Sequence, residues 1–161
     1  GIAMSKNYKD ELMNAIDESL ECFDCFYQKN KNFVYIQMKT ERPIKNFNCA
    51  FYVTEEGYII YISKDIPKVD KATGAALYEF VNKVNMYLLE GDLEVDLDSG
   101  YVAYKEYVRP SRPIEKASVG TSVVKAFCCF ETYAHGFAHI MVIKADADEA
   151  IMVCEQQTDG Q

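Results

Sequence analysis

The chain has no tryptophan, two histidines, four prolines and eight glycines in 161 residues. Imidazole chemistry is therefore confined to His135 and His139. The sparse glycines form no Walker loop, no dinucleotide-binding fingerprint and no Gly-x-Ser-x-Gly nucleophile elbow, which leaves the common nucleotide and acyl-transfer sites without a candidate. No apolar run approaches the length of a bilayer span, and no charged-then-apolar leader opens the chain. There are no internal repeats, low-complexity tracts or linkers, so one domain over 1–161 is expected, with an ordered core over about 7–151. A chain of this length can bury roughly 70% of its unfolded surface. Basic residues are also scarce: 17 Lys and Arg against 25 Asp and Glu give a net charge of −8. Such acidity repels nucleic-acid backbones and anionic membranes, so neither is an expected partner. Six cysteines without a leader point to reduced thiols in a cytoplasmic protein.

What is present is strong patterning. Asp70 can accept the unpaired N–H groups of a helix opening after it. Leu77, Phe80, Val81, Val84 and Leu88 then recur on one helical face, and Gly91 is placed to stop the helix in a left-handed conformation. Leu93, Val95 and Leu97 alternate with Glu94, Asp96 and Asp98, the period of a half-buried strand. Ser99-Gly100 reads as a two-residue hairpin loop, setting Leu97 opposite Val102, Val95 opposite Tyr104 and Glu94 opposite Lys105. A three-residue loop would turn Lys105 inward, at a cost.

Asn7 can cap a first helix whose stripe is Leu12, Ile16, Leu20, Phe23 and Tyr27, ended by the polar run 28–32. Phe33–Met38 reads as a strand, broken at Arg42-Pro43. Strands over Phe47–Thr54 and Tyr58–Ser63 put Cys49, Phe51 and Val53 on a face with Tyr58, Ile60 and Ile62. The opposite face, with Tyr52, Ile59 and Tyr61, is apolar too, so it wants a cover, and a homodimer is expected. Pro110 and Pro113 bracket the turn into a long helix from about Glu115 to Lys144, where Gly120 and Gly136 predict weak points. A last short helix starts near Asp146, and Gln156–Gln161 reads as a frayed tail. The fold class is thus α+β, in the order α-β-β-β-α-β-β-α, with a five-stranded antiparallel sheet packed with helices.

The segments Leu77-Tyr-Glu-Phe-Val-Asn-Lys-Val-Asn85, Gly91-Asp-Leu-Glu-Val-Asp-Leu-Asp98 and Gly100-Tyr-Val-Ala-Tyr-Lys-Glu-Tyr-Val108, with this element order, resemble the YbjN-like family and its type III secretion chaperone-like fold. The resemblance spans residues 7–151 in topology and 77–108 in specific text. It implies that fold and a habit of dimerising; the related secretion chaperones are acidic homodimers that bind extended client segments. A chaperone role would be analogy at the level of fold.

Four constellations could carry chemistry. Cys22-Phe-Asp-Cys25 is a C-x-x-C motif, but it falls toward the C-terminal end of the expected first helix, away from the dipole that activates redox thiols. His135 and His139 have the i, i+4 spacing of a metal pair, with Cys128 as a third candidate, yet Gly136 stands where a zinc protease needs glutamate. Cys128-Cys129 cannot readily bridge within a helix. Glu94, Asp96 and Asp98 could hold a cation but read as a solvated strand face. The expectation is therefore no enzyme, no cofactor and no metal. The alternatives are a small-molecule sensor or a metal or thiol enzyme using His135, His139 and nearby cysteines. Twelve tyrosines, several on strand faces, suit protein contacts and also strands generally. Tyr101 and Tyr107, outward with Ala103 and Lys105, are the predicted contacts for an unknown protein partner, with Tyr52 and Tyr61 as rivals.

Overall fold

In the computed structural model, which describes residues 2–21, 25–29, 33–38 and 47–159, six antiparallel strands form one sheet in the order β1-β2-β3-β4-β6-β5. The strands are β1 (Cys25–Lys29), β2 (Phe33–Met38), β3 (Phe47–Val53), β4 (Tyr58–Asp65), β5 (Asp92–Asp96) and β6 (Tyr101–Val108). The helices are α1 (Ile2–Leu20), α2 (Lys71–Asn85), α3 (Lys116–Ile143) and α4 (Ala147–Asp159). The α+β class holds, but the expected five strands become six.

The additional strand lies where a helix was expected to continue. α1 ends at Leu20, and Tyr27 pairs with Ile36 in a β1–β2 hairpin. Its apolar residues 20, 23 and 27 fit a helical stripe, while Cys-Phe-Tyr is equally good strand text. Cross-strand pairing with β2 decides between them. α1 also begins at Ile2, so Asn7 lies inside it instead of capping it; residues 3–6 contain no breaker. Cys22, Phe23, Asp24 and the Arg42-Pro43 break lie outside the described residues.

The helices collect on one face. Tyr8, Leu12, Ile16 and Leu20 of α1, Leu77, Phe80 and Val84 of α2, and Val119, Val123, Phe130 and Phe137 of α3 bury against Cys49, Phe51, Val53, Tyr58, Ile60, Ile62, Leu93, Val102 and Tyr104. Phe80 and Phe137 meet edge to face at 5.1 Å. β3 and β4 share the expected inner face, with Cys49 opposite Ile62, Phe51 opposite Ile60 and Val53 opposite Tyr58.

α3 is continuous from Lys116 to Ile143, and Lys144 closes it in the left-handed conformation. Neither glycine interrupts it. At Gly136 the hydrogen in place of a side chain lets Phe80 and Cys154 approach: a Cβ there would lie 2.4 Å from Phe80 Cζ and 2.8 Å from Cys154 Sγ. By length and composition α3 is apolar enough to cross a bilayer, with a mean hydropathy of 1.2 over its most apolar stretch, which corrects the expectation that no run is. Its Val119–Ile140 stripe is spent on the core. α4 runs on to Asp159, into the stretch expected to fray, and Asp146 Oδ1 accepts the Glu149 N–H at 2.8 Å to start it.

Two local devices set β5 and β6. Asp70 caps α2 as expected, accepting the Thr73 N–H at 2.8 Å. α2 then stops at Asn85, short of Leu88, and the Asn85 side chain serves the sheet. Its Oδ1 accepts the Leu93 N–H at 2.8 Å and its Nδ2 donates to the Leu93 carbonyl at 3.0 Å. One amide thus replaces a missing neighbour strand at this edge. Gly91 is left-handed, at φ +76°, but it turns the chain into β5 rather than ending α2. At the hairpin, Asp96 Oδ1 accepts the N–H groups of Asp98 and Ser99, each at 3.0 Å. That Asx turn closes a four-residue loop over 97–100, so Val95 faces Val102, Leu93 faces Tyr104 and Asp92 faces Lys105. The expected two-residue loop is corrected by two positions. A shift of two keeps every side chain on its predicted face.

Candidate protein-binding face

The second face of the sheet carries no described helix. Alternation from the buried positions assigns Asn48, Ala50 and Tyr52 of β3, Ile59, Tyr61 and Ser63 of β4, Asp92, Glu94 and Asp96 of β5, and Tyr101, Ala103, Lys105 and Tyr107 of β6 to it. All four tyrosines singled out from the sequence lie there. The structure divides them into two groups.

Tyr61 and Tyr101 belong to a closed polar network. The Tyr61 hydroxyl donates to Glu94 Oε2 at 2.8 Å, and Lys105 Nζ pairs with Glu94 Oε1 at 3.2 Å. Tyr101 stands beside the Tyr61 hydroxyl; partial burial, Tyr101 and the Glu94 charge all push the Tyr61 pKa upward. Under this roof Ala103 is fully buried although no helix covers it. Glu94 and Lys105 are diagonal neighbours rather than the direct pair expected, since Glu94 faces Ala103.

Tyr52 and Tyr107 flank Ile59 in one cross-strand row, Tyr52 paired with Ile59 and Ile59 with Tyr107. They are the open members, 47% and 42% exposed. Arg109 stacks over the Tyr107 ring at 5.0 Å, and Thr54 Oγ1 stands 3.5 Å from the Tyr107 hydroxyl. The row continues in register to Phe33 of β2. Arg109 lies outside the alternating stretches, so period-two patterning had no means of finding it.

The candidate chemical groups do not converge. Cys25 opens β1 instead of lying on a helix, and Cys22 lies outside the described residues. His139 Nδ1 lies 3.1 Å from the His135 carbonyl, tied to its own helix, and Cys128 is exposed. Among the described residues no three His, Cys, Asp or Glu side chains come together as a metal-ligand set. Cys49, Cys128, Cys129 and Cys154 are in no disulfide. Burial pushes the thiols of Cys129 and Cys154 up to about 11, the opposite of what a thiolate nucleophile needs. Of the three strand acids, Glu94 is held by Tyr61 and Lys105, and Asp96 is spent on its turn.

One polar pair on the helix side has no counterpart in the sequence reading. The Tyr104 hydroxyl donates to Glu106 Oε2 at 2.9 Å beside Cys129, and burial, with Glu90 nearby, raises the Glu106 pKa.

No protein-family model and no curated protein matches the sequence. The fold does have a solved counterpart in the crystal structure of YbjN from E. coli, which superposes with a TM-score of 0.55 at 6% identity. The match covers 79% of this chain and 90% of that one. An identity this low speaks for the fold alone, and on that ground the chain has a YbjN-like fold.

Proposed function

We propose that this protein is a non-enzymatic protein-binding module, acting by masking or presenting part of a partner through the open face of its sheet. The observation that carries the reading is the Tyr52–Ile59–Tyr107 row, large, apolar and exposed on a rigid sheet. Tyrosine supplies contact area with a polar tip and little conformational freedom to lose, which suits such surfaces. Tyr101 and Tyr61 extend the face at the β5 end. YbjN is described as a candidate transcription regulator. A regulatory role here would run through protein rather than DNA, because a chain of net charge −8 repels phosphates. In this reading the protein works in the cytoplasm, and a second copy of the chain competes with the client for the same row.

The test is crosslinking and mass spectrometry of complexes co-purified from the native host. Replacing Tyr101 and Tyr107 by Ala, and separately Tyr52 and Tyr107, should weaken the captured complex while the circular-dichroism melt stays cooperative. Light scattering on the same variants reads self-association. Recovery of a tightly held small molecule in place of any protein would overturn the reading in favour of a sensor.

A further inference from the structure

The β5–β6 ladder ends before β6 does. β5 begins at Asp92, opposite Lys105, whereas β6 runs on to Val108. Which main-chain groups are left over follows from two bonds. Ile66 N–H donates to the Gly100 carbonyl at 3.0 Å, so the even-numbered residues of β6 point their main-chain groups at β4. Leu93 turns its own groups away from β6 to Asn85, so the odd-numbered residues of β6 bond β5. Tyr107 is odd-numbered. Its N–H and C=O face the β5 side one step past the end of β5, with no strand partner among the described residues.

That edge forms one wall of a cleft of about 580 Å³, whose other wall is Leu89, Glu90, Gly91 and Asp92, with Ser122 of α3 also lining it. The left-handed Gly91 is where the chain leaves β6 and opens the gap. Leu89, 99% exposed, stands at the rim. The cleft carries three acids against two bases. Its two bases are engaged by acids outside it, Lys105 by Glu94 at 3.2 Å and Arg109 by Glu56 at 3.8 Å. Its acids are Glu90, Asp92 and Glu106. Glu90 has Lys125 at 3.9 Å and lies against Glu106, which also accepts from the Tyr104 hydroxyl.

We infer that this cleft takes an extended peptide segment carrying a lysine or arginine, which continues the line of β5 by main-chain pairing with Tyr107 and sets its cation against Glu90 and Glu106. The unpaired edge selects an extended polypeptide, because only a strand offers donor and acceptor at the matching spacing. The carboxylates select its charge. A cation also relieves the burial that raises Glu106. The inference rests on the protein-binding reading and names the chemistry of the segment bound, at the sheet edge rather than on the tyrosine row.

The test uses the full chain and a fluorescein-labelled, end-blocked heptapeptide of alternating valine and threonine with a central lysine. Fluorescence anisotropy should show it binding at least tenfold tighter than the same peptide with a central glutamate. Backbone N-methylation beside the lysine should abolish binding. Glu90→Gln and Glu106→Gln should each weaken the lysine peptide several-fold, and Tyr52→Ala should leave it unchanged. Hydrogen exchange should show the Tyr107 amide protected in the complex. Equal binding of both peptides, no binding up to millimolar concentration, or a Tyr107 amide that stays unprotected would overturn the inference. Binding lost in Tyr52→Ala but kept in both glutamine variants would also overturn it, while leaving the tyrosine face as the docking surface.

Discussion

Two glycines of α3 should respond to the same substitution with opposite signs. In a helix interior Gly→Ala gains about 1 kcal/mol of propensity. At Gly120 a Cβ would meet only Ser19 Oγ, at 3.5 Å, an ordinary contact. Gly120→Ala should therefore raise stability by about 0.5–1 kcal/mol, a thermal midpoint shift of roughly 1–4 °C for a domain of this size. At Gly136 the same Cβ falls 2.4 Å from Phe80 Cζ and 2.8 Å from Cys154 Sγ. Phe80 has no free direction in which to retreat, being buried and packed edge to face on Phe137. Overpacking of this kind costs about 1–3 kcal/mol and exceeds the propensity gain over most of that range. Gly136→Ala should lower stability by about 0–2 kcal/mol, and Gly136→Val by more. Urea unfolding followed by circular dichroism gives both differences on one scale. If Gly136→Ala stabilises as much as Gly120→Ala, the close packing of α2, α3 and α4 is refuted.

Asn85→Ala removes both hydrogen bonds to Leu93. The expected cost is about 1–3 kcal/mol with selective loss of hydrogen-exchange protection at the Leu93 amide; unchanged protection would refute the clamp. Tyr58 is fully buried with its hydroxyl beside Ser122 but outside hydrogen-bond geometry, and burial pushes its pKa up to about 12. Tyr58→Phe should accordingly be neutral or stabilising by up to about 1 kcal/mol in urea melts, and a loss above that would reveal a partner for the hydroxyl. The Asp70 carboxylate is held below its usual pKa by the Thr73 N–H, so its contribution is present above the unfolded carboxylate range and lost as pH falls through the folded value. Asp70→Ala should be less stable than the parent at pH 7, with the gap closing in acid; a gap independent of pH would contradict the cap. Elemental analysis of protein purified without chelator should show no stoichiometric zinc, and zinc that disappears in His139→Ala would restore the metal reading.

The sequence by itself determined whatever depends on a few neighbouring residues. Asp70 starts α2, a long helix runs to about Lys144, Phe33–Met38 is a strand, and the shared inner face of β3 and β4 follows from two alternating runs around Glu55-Glu56-Gly57. The outward placement of Tyr52, Tyr61, Tyr101 and Tyr107 was equally legible, because strand parity survives even the two-residue register error in the second hairpin. Only the tertiary structure decided the rest. Cys25–Lys29 fits a helical stripe and a strand alike, and only pairing with β2 separates them. The Asn85 amide finds Leu93 eight residues on, a partner that no periodicity encodes. The split of the tyrosines into a Glu94 network and an open row required β6 to lie between β4 and β5. So did the unpaired edge at Tyr107. Periodicity records which way a side chain points, whereas strand order, helix ends and partners are set by hydrogen bonds between residues distant in the chain.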